Sequence, residues 1–556
     1  MQKNERVGIL LIHGIGDQRQ NEFLQNCAEY FVKTAVIPYE SENVHIEMFP
    51  GLNREAPLSI MLKDDGGRIS RFDFHELWWR DLGESPKFRT KIKFWLWALS
   101  LGGTRGYFWH RQTLKMFPSN LSTRFGFILP HHRILLFLKT TYFFLLLAPL
   151  LLVFELAGHI PGVSKFSLVR ATFTYLSSVQ MYQERRSRQG GTLVDFDQSR
   201  RISIQRRFVE AVIEMAMRDY DRWYILAHSL GSVIAFQGLM LDKHAMARLV
   251  TANRWNHRDF QKFKAAPSSP NPDYPDEPKC PLWLSSSDGL DHKAIFGKLR
   301  GLITYGSPIE TFARTWPAIV HIDPDTTIVG AKLCDEFEWL NIYDPVDVVA
   351  SKITSFGVLK PDERGVMIPN NLCVRSSKFI LAAHTSYLRP KTADLYHRAV
   401  PALFQWVMHP EVPFSVDSRG EGSLVGRALV GRVEANRRKA WAIFQWAFVL
   451  ILGLVIWPYS LIVVARPVLS MAGTFLFFDP TLSKQVLDLW EKLRDLIADF
   501  AMSTDFVADL WHAFIILGAV TGVLLIAGFL HFFIDVYLDK KKTTVTLTSR
   551  KPVIKV

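Results

Sequence analysis

The apolar positions of this chain follow two patterns. The first is short and punctuated. "RVGILLIHGIGDQ" is a continuous apolar run over residues 7–12 that breaks into a glycine loop. A run of that length bounded by turn residues predicts a buried strand. Helical spacing follows over residues 21–36, and "NVHIEMF" and "SRFDFHELWW" read as two further strands. From about residue 195 the same alternation returns. Residues 200–218 have the spacing of an amphipathic helix, and "WYILAHSLGSVIAFQGLM" is a strand running straight into a helix. "GLITYGSPI" (301–309) and "FEWLNIYDPVDVVA" (337–350) are strand-to-loop units, followed by "FILAAHTSYL" and a helical run over 393–407. Strands alternating with helices predict an α/β domain whose mostly parallel sheet is flanked by helices. Residues 253–298, rich in Pro, Ser and Asp, read as an irregular insertion.

The second pattern is long and nearly uninterrupted. Residues 134–158 ("ILLFLKTTYFFLLLAPLLLVFELAG"), 441–465 and 513–536 each match or exceed the ~20 apolar residues that a bilayer crossing needs. The lone Lys139 lies near one end of the first, where it can snorkel. Four regions follow: 1–85, the N-terminal part of the α/β domain; 86–190, a membrane-associated helical insertion; 191–410, the C-terminal part of the α/β domain; and 411–556, a transmembrane hairpin with a basic tail.

Composition supports this division. The chain is 48% hydrophobic yet 21% charged, a balance that suits membrane segments joined to a soluble domain. An excess of Lys and Arg (66) over Asp and Glu (53) leaves a net charge of +13, which favours anionic lipid headgroups. No zinc-finger, RNP-type or basic-zipper pattern occurs, so nucleic acid is not an expected partner. Cys27, Cys280, Cys334 and Cys373 form no C-x-x-C pair. Neither a disulfide framework nor a zinc site is expected, and a reducing compartment fits. The N-terminal apolar run is too short for a signal peptide and leads into His-Gly-Ile-Gly rather than a cleavage site.

The candidate chemistry starts at Ser229 in "AHSLG". This matches the G-x-S-x-G corner at which a strand turns sharply into a helix and exposes a nucleophilic serine, with Ala227 in place of the first glycine. Matches to so short a motif arise by chance, but this one sits between a strand and a helix, the setting the motif needs. "LLIHGIG" supplies a second piece, His13, Gly14 and Gly16, whose glycines let backbone approach a substrate carbonyl. An acid and a base come later in the chain: Asp344 or Asp347 at the exit of one strand, and His384 after another apolar stretch. Taken singly, each is as readily a turn aspartate or a capping histidine. Together they keep the order Ser, acid, His.

These motifs ("LIHGIGDQ", "ILAHSLGS", "LITYGSP", "WLNIYDPVDVVA", "AAHTSYL") resemble those of a serine hydrolase of the α/β-hydrolase superfamily. The similarity is greatest to its lipase-like branch, which includes the GPI inositol-deacylase-like lipases and other membrane-attached lipid hydrolases. It covers residues 5–80 and 200–408, about half the chain, and none of the long apolar segments. In such relatives the acid-bearing stretch reads Asn-Ile-Tyr-x-Pro-x-Asp-x-Val-Ala, which places the acid at Asp347 and leaves Asp344 as the alternative. Ala227 departs from the family pattern, as does a sheet that begins at the oxyanion strand without leading antiparallel strands. The resemblance implies that Ser229 attacks an ester carbonyl, His384 moves the proton, Asp347 orients His384, and the N–H groups of Ile15 and Leu230 form the oxyanion hole. It implies no metal and no cofactor, and makes a lipid or other acyl ester the expected substrate. An acyltransferase or thioesterase on the same triad, or a non-catalytic membrane scaffold, are the alternatives. His228 reads as structural, and Asp17 as an N-cap.

Topology adds one constraint. The His-Gly loop and Ser229 must lie on the same side of the bilayer, so segment 134–158 needs a second crossing, or enters without crossing. The partners available are 94–108 and 166–182, which carry Arg105 and Arg170; the short turn "GHIPG" favours the second. Arg432, Arg437, Arg438 and Lys439 precede the C-terminal pair and Lys540, Lys541 and Lys542 follow it. By the positive-inside rule both flanks are cytoplasmic. The expectation is an integral membrane protein with its catalytic domain on the cytoplasmic side, resting on the bilayer.

Overall fold

The structure, a computed structural model, describes residues 5–14, 19–36, 45–49, 57–63, 69–82, 182, 188–189, 192–193, 200–269, 279–310, 312, 337–347, 349–353, 369–377, 383–387, 407, 435–438 and 440–441. The chain divides into two compact units. The first comprises Met1–Phe94, Gly106–Phe127 and Ala171–Ala442. The second comprises Trp95–Arg105, Ile128–Arg170 and Ile443–Val556, and lies wholly outside the described residues. Apart from Trp441 the three long apolar segments fall outside them too, and of the helical run expected over 393–407 only Val407 is described. Among the described residues no helix is long and apolar enough to cross a membrane.

The strands are β1 (Glu5–Ile12), β2 (His45–Phe49), β3 (Leu58–Lys63), β4 (Ile69–Leu77), a two-residue hairpin of β5 (Arg188–Gln189) and β6 (Thr192–Leu193), β7 (Arg222–His228), β8 (Leu299–Tyr305), β9 (Glu338–Tyr343) and β10 (Asn370–Cys373). Eight of them form one sheet in the order β10-β9-β8-β7-β1-β4-β3-β2. Every pairing from β10 to β4 is parallel, and β4-β3 and β3-β2 are antiparallel. A mostly parallel sheet is thus present, and antiparallel strands close one edge. They follow β1 in the chain rather than lead it. β3 was not readable as a separate strand, because the chain reverses twice within about thirty residues.

Helices cover both faces, which is why the central strands are apolar without alternation. Val7 to Ile12 of β1 are all buried. Val7, Ile9 and Leu11 share a core with Phe23, Leu24, Cys27, Ala28 and Phe31 of α1 (Glu22–Val36). On the other face Gly8 lies against Met215 of α2 (Arg200–Met217) and Tyr220. Behind β7 runs α3 (Leu230–Leu239), buried at nine of its ten positions, as expected of a helix apolar on all sides. Tyr182, the last residue of the weaker 166–182 segment, is buried and its hydroxyl donates to Gln237 of α3.

Residues 253–298, expected to be irregular, are so over the described 264–269 and 279–291 but carry short helical elements at either end. With the residues before them they comprise α4 (Lys243–Leu249), α5 (Ala252–Trp255), a 3-10 turn (Arg258–Phe263) and α6 (His292–Phe296). Asp242, Thr251 and Asp291 accept backbone N–H groups at the starts of these helices. Trp255, Phe260 and Phe263 give the segment its own aromatic packing.

The chain leaves β1 toward β4 on one side and returns through β7 to β10 on the other, so the strand order reverses between β1 and β7. Open α/β sheets place ligands at such a point, outside the carboxyl ends of the strands. The same ends form a register row of Leu77, Ile12, Ala227, Thr304, Asn341 and Asn371. In that row the Thr304 hydroxyl donates to Asn341 Oδ1 at 3.1 Å, and Asn341 Nδ2 to Asn371 Oδ1 at 2.8 Å. Asn341 Nδ2 also reaches Ser351 O at 3.2 Å, and Asn371 accepts the Ile353 N–H at 2.9 Å. This buried ladder fixes the pairing of β8, β9 and β10 and ties down the loop that leaves β9.

Candidate active site

Ser229 is where β7 turns into α3. Its φ of 52° and ψ of −126° place a residue with a Cβ in strained territory, and Asn21 is the only other described non-glycine with positive φ. Such a conformation costs about 1–3 kcal/mol and persists only where its surroundings hold it. Here the Ser229 N–H donates to Tyr305 O at 3.1 Å. Its carbonyl accepts the Ser232 N–H at 3.0 Å and the Ser232 hydroxyl at 2.5 Å. Ser232 Oγ in turn lies 2.7 Å from Ser307 Oγ, both fully buried. Neighbouring backbones also approach closely. A Cβ on Gly231 would stand 2.5 Å from Ile12 O and 2.6 Å from His13 O, and one on Gly14 would stand 2.6 Å from Ser229 Cβ. Only glycine fits either place.

The corner aims Ser229 at His384. Their Oγ and Nε2 are 2.9 Å apart, and His384 Nδ1 is 2.9 Å from Asp347 Oδ2. Asp347 is buried and also accepts the Val349 N–H at 2.8 Å and the Tyr387 hydroxyl at 2.9 Å. Burial alone would raise its pKa. The adjacent His384, by charge and hydrogen bond, and the Val349 and Tyr387 donors outweigh it, so the carboxyl lies below its ordinary range and is ionised at neutral pH. An ionised Asp347 makes Nδ1 the protonated nitrogen of His384. Nε2 then presents a lone pair to the Ser229 hydroxyl, the arrangement of a general base beside a nucleophile.

The two aspartates of "YDPVD" separate cleanly. Asp344 does not reach His384. Its carboxylate is buried and accepts from Val346 N–H, Ser376 N–H and the guanidinium of Arg438.

His13 is fully buried and turned away from Ser229. Its Nδ1 donates to Gly14 O at 2.7 Å, Nε2 accepts the Trp79 N–H at 3.3 Å, and the Trp79 indole donates to His13 O at 3.0 Å. The two rings stack 5.1 Å apart at 6°. Burial pushes the His13 imidazole down to about 4. It is a neutral anchor for the loop, not a reacting group. Leu230 opens α3 next to Ser229, so its N–H is among those a helix leaves without an intrahelical acceptor. Ile15, Gly16 and Asp17 lie outside the described residues. His228 stacks on Tyr305 at 4.7 Å and on His384 at 5.0 Å, with Nε2 3.2 Å from His384 O. Desolvation, then the neighbouring His384, push it down to about 3. It supports the His384 ring and stays neutral.

Sequence reasoning did not assign Ser232, Ser307, Tyr387 or Ser376 to the site, and read Arg438 only as one of the basic residues flanking the apolar run from 441. Ser232, Ser307 and Tyr387 lie inside motifs already noted, each two or three residues from a strand exit or a site residue. That proximity was their only signal.

Histidines held neutral by burial make stability depend on pH. His75 and His292 are also pushed down to about 4, chiefly by desolvation. As pH falls from 6.5 toward 4, the unfolded chain binds protons that the folded chain does not, so stability falls with it. Glu76, raised by burial to about 7, works in the opposite direction between 4.5 and 7, but it is one group against four. The thermal midpoint is expected to drop by several degrees or more between pH 7 and pH 4.5. A flat midpoint over that range, measured by scanning calorimetry, would show these imidazoles to be hydrated.

Comparison with known proteins finds no family model, no curated protein and no solved structure that matches the chain.

Proposed function

We propose that the protein is a membrane-bound serine hydrolase of the α/β-hydrolase type that cleaves an ester, with a lipid as the expected substrate, through an acyl-enzyme. The observation that carries this reading is the hydrogen-bonded line Ser229–His384–Asp347 at 2.9 Å and 2.9 Å, drawn from three distant stretches of chain at the carboxyl edge of one sheet. In the first step Ser229 Oγ bonds to the ester carbonyl carbon while its proton passes to His384 Nε2. The carbonyl oxygen becomes an oxyanion, held by the N–H of Leu230 and, from the resemblance, that of Ile15. Collapse breaks the bond to the leaving alcohol, which takes the proton from Nε2 and departs. Water then adds to the acyl-enzyme by the same route and releases the acid. Asp347 stays ionised throughout and stabilises the imidazolium. General base catalysis contributes about 10²–10⁴ in rate, and each oxyanion donor about 10²–10³. The lipid and membrane parts of the proposal rest on the three long apolar segments and the +13 charge.

The test is covalent labelling of the full, detergent-solubilised chain with a fluorophosphonate. One adduct per chain is expected, mapped by peptide mass spectrometry to Ser229. A folded protein that takes no label, or takes it at another serine, would overturn the proposal. Deacylation by added alcohols in preference to water would turn it toward acyl transfer.

A further inference from the structure

We propose that Arg438 is a positioning residue for the triad, so that the chain beyond the sheet completes the active site; this rests on the hydrolase reading above. In the sequence Arg438 belongs to the basic cluster that flanks the apolar run starting at residue 441. In the structure it separates from its neighbour. Arg437 is exposed, whereas Arg438, in helical residues 435–438, is 6% exposed. Its Nη2 donates to Asp344 Oδ2 at 2.7 Å, to Asp344 Oδ1 at 2.9 Å and to Ser377 O at 2.6 Å, and its Nε lies 3.3 Å from Oδ1.

What Arg438 grips is the pair of loops that carry the acid and the base. Asp344 sits three residues before Asp347, and its Oδ1 also accepts the Val346 N–H at 3.0 Å. Asp344 Oδ2 accepts the Ser376 N–H at 2.6 Å, with the Ser377 N–H at 3.4 Å. The Ser376 hydroxyl lies 2.8 Å from Asp344 Oδ2 and 2.9 Å from the carbonyl of Ala383, the residue before His384. The Asp344 N–H donates to the Tyr387 hydroxyl at 2.9 Å, and that hydroxyl donates to Asp347 Oδ2 at 2.9 Å. A continuous line therefore runs Arg438, Asp344, Tyr387, Asp347, His384, Ser229. Where they are described beyond β9 and β10 both loops are irregular, and these bonds join one to the other. A buried carboxylate stripped of its cation recruits water or a proton and relaxes its other hydrogen bonds. Displacing a catalytic group by about 1 Å can cost about 10²-fold in rate. Arg438 also stands five residues before Ile443, where the second compact unit resumes. The same helix thus both precedes the C-terminal apolar segment and holds the acid to the base.

The experiment uses the full detergent-solubilised chain and three variants, Arg438→Ala, Arg438→Gln and Arg438→Lys, with Ser229→Ala as the labelling control. Readouts are the second-order rate of fluorophosphonate labelling, kcat and KM for p-nitrophenyl butyrate, and near-ultraviolet circular dichroism. Arg438→Ala is expected to lose about 10²-fold in labelling rate and kcat. KM should stay within a few fold, because Arg438 acts on the acid and base through Asp344 rather than on bound ester. Millimolar ethylguanidinium should restore at least tenfold, an effect that a general loss of packing would not give. Arg438→Lys, which keeps the buried charge without the fork, should fall between and folds where alanine does not. Wild-type labelling rates in folded Arg438→Ala, or in both folded Arg438→Lys and Arg438→Gln, would overturn the inference and leave the hydrolase reading standing. A folded wild type that takes no label overturns both.

Discussion

Replacing Ser229 with alanine is expected to lower kcat for ester hydrolysis about 10⁶-fold, and replacing His384 with alanine about as far, with the double variant no slower than either single one. The reason is in the geometry. Ser229 Oγ and His384 Nε2 are 2.9 Å apart, so the proton leaves the hydroxyl as the carbon–oxygen bond forms, and neither residue has a task without the other. What survives in each variant is water attacking a substrate held by the remaining donors, which is the same background in all three. The measurement is steady-state turnover of p-nitrophenyl butyrate by the full chain in detergent, with active-site concentration fixed by fluorophosphonate titration of the wild type. If the losses multiplied in the double variant, the two residues would be acting independently, and the line joining them would be structural coincidence. Because Ser229 is strained, alanine at that position should keep the corner: the bonds that hold it use the backbone N–H and C=O of residue 229 and the side chain of Ser232, not the Ser229 hydroxyl. Thermal stability is therefore expected to change little while activity disappears.

How far this site could be read from the sequence depended on what each signal measures. Continuous apolar runs such as Val7 to Ile12 report burial on both faces, and burial on both faces implies helices on each side of a parallel strand. The sheet was readable for that reason. The antiparallel edge was not, since β3 is short and the same alternation fits a loop flanking a single strand. The helices of residues 253–298 are each under two turns, too short to show a period, and their Asp and Thr caps imitate a loop. Within the site, Ser229 and Asp347 follow the ends of β7 and β9, where motif and topology agree, whereas His384 comes eleven residues after β10 and was legible from its motif and chain order. Arg438 illustrates the limit. Four basic residues clustered before an apolar segment, three of them consecutive, carry the same charge pattern whether they meet water, lipid headgroups or a buried carboxylate. The burial of one of them, against a residue 94 positions earlier, is a property of the fold alone.

Of the two aspartates that the sequence left in competition, Asp347→Asn is expected to lower kcat about 10⁴-fold with a modest change in melting, and Asp344→Asn to lower the melting temperature strongly with a smaller, about 10²-fold, loss of rate. Asparagine at 347 can still accept the Val349 N–H through its carbonyl oxygen. Its amide, however, presents a donor to Nδ1 of His384, which reverses the tautomer and turns a protonated Nε2 toward Ser229. The base is then unable to accept the serine proton, although every heavy atom stays in place. Asparagine at 344 leaves the guanidinium of Arg438 buried without its counter-charge, and breaking one side of a buried pair costs about 3–5 kcal/mol. The loops it joins should loosen as well, so about 10²-fold in rate is expected to go with the stability, the same loss as for Arg438→Ala. The discriminating plot is kcat against thermal midpoint for both variants, measured in one detergent and at one pH near neutrality. Asp347→Asn should fall straight down the rate axis, and Asp344→Asn mostly along the temperature axis. The opposite assignment, with Asp344→Asn inactive at unchanged stability, would make Asp344 the orienting acid and would require the loop after β9 to rearrange when substrate binds. Methylation of His384 Nε2 by a sulfonate ester offers an independent check on the same point. It needs a lone pair at Nε2, so it should proceed in the wild type and in folded Asp344→Asn, and slow sharply in Asp347→Asn.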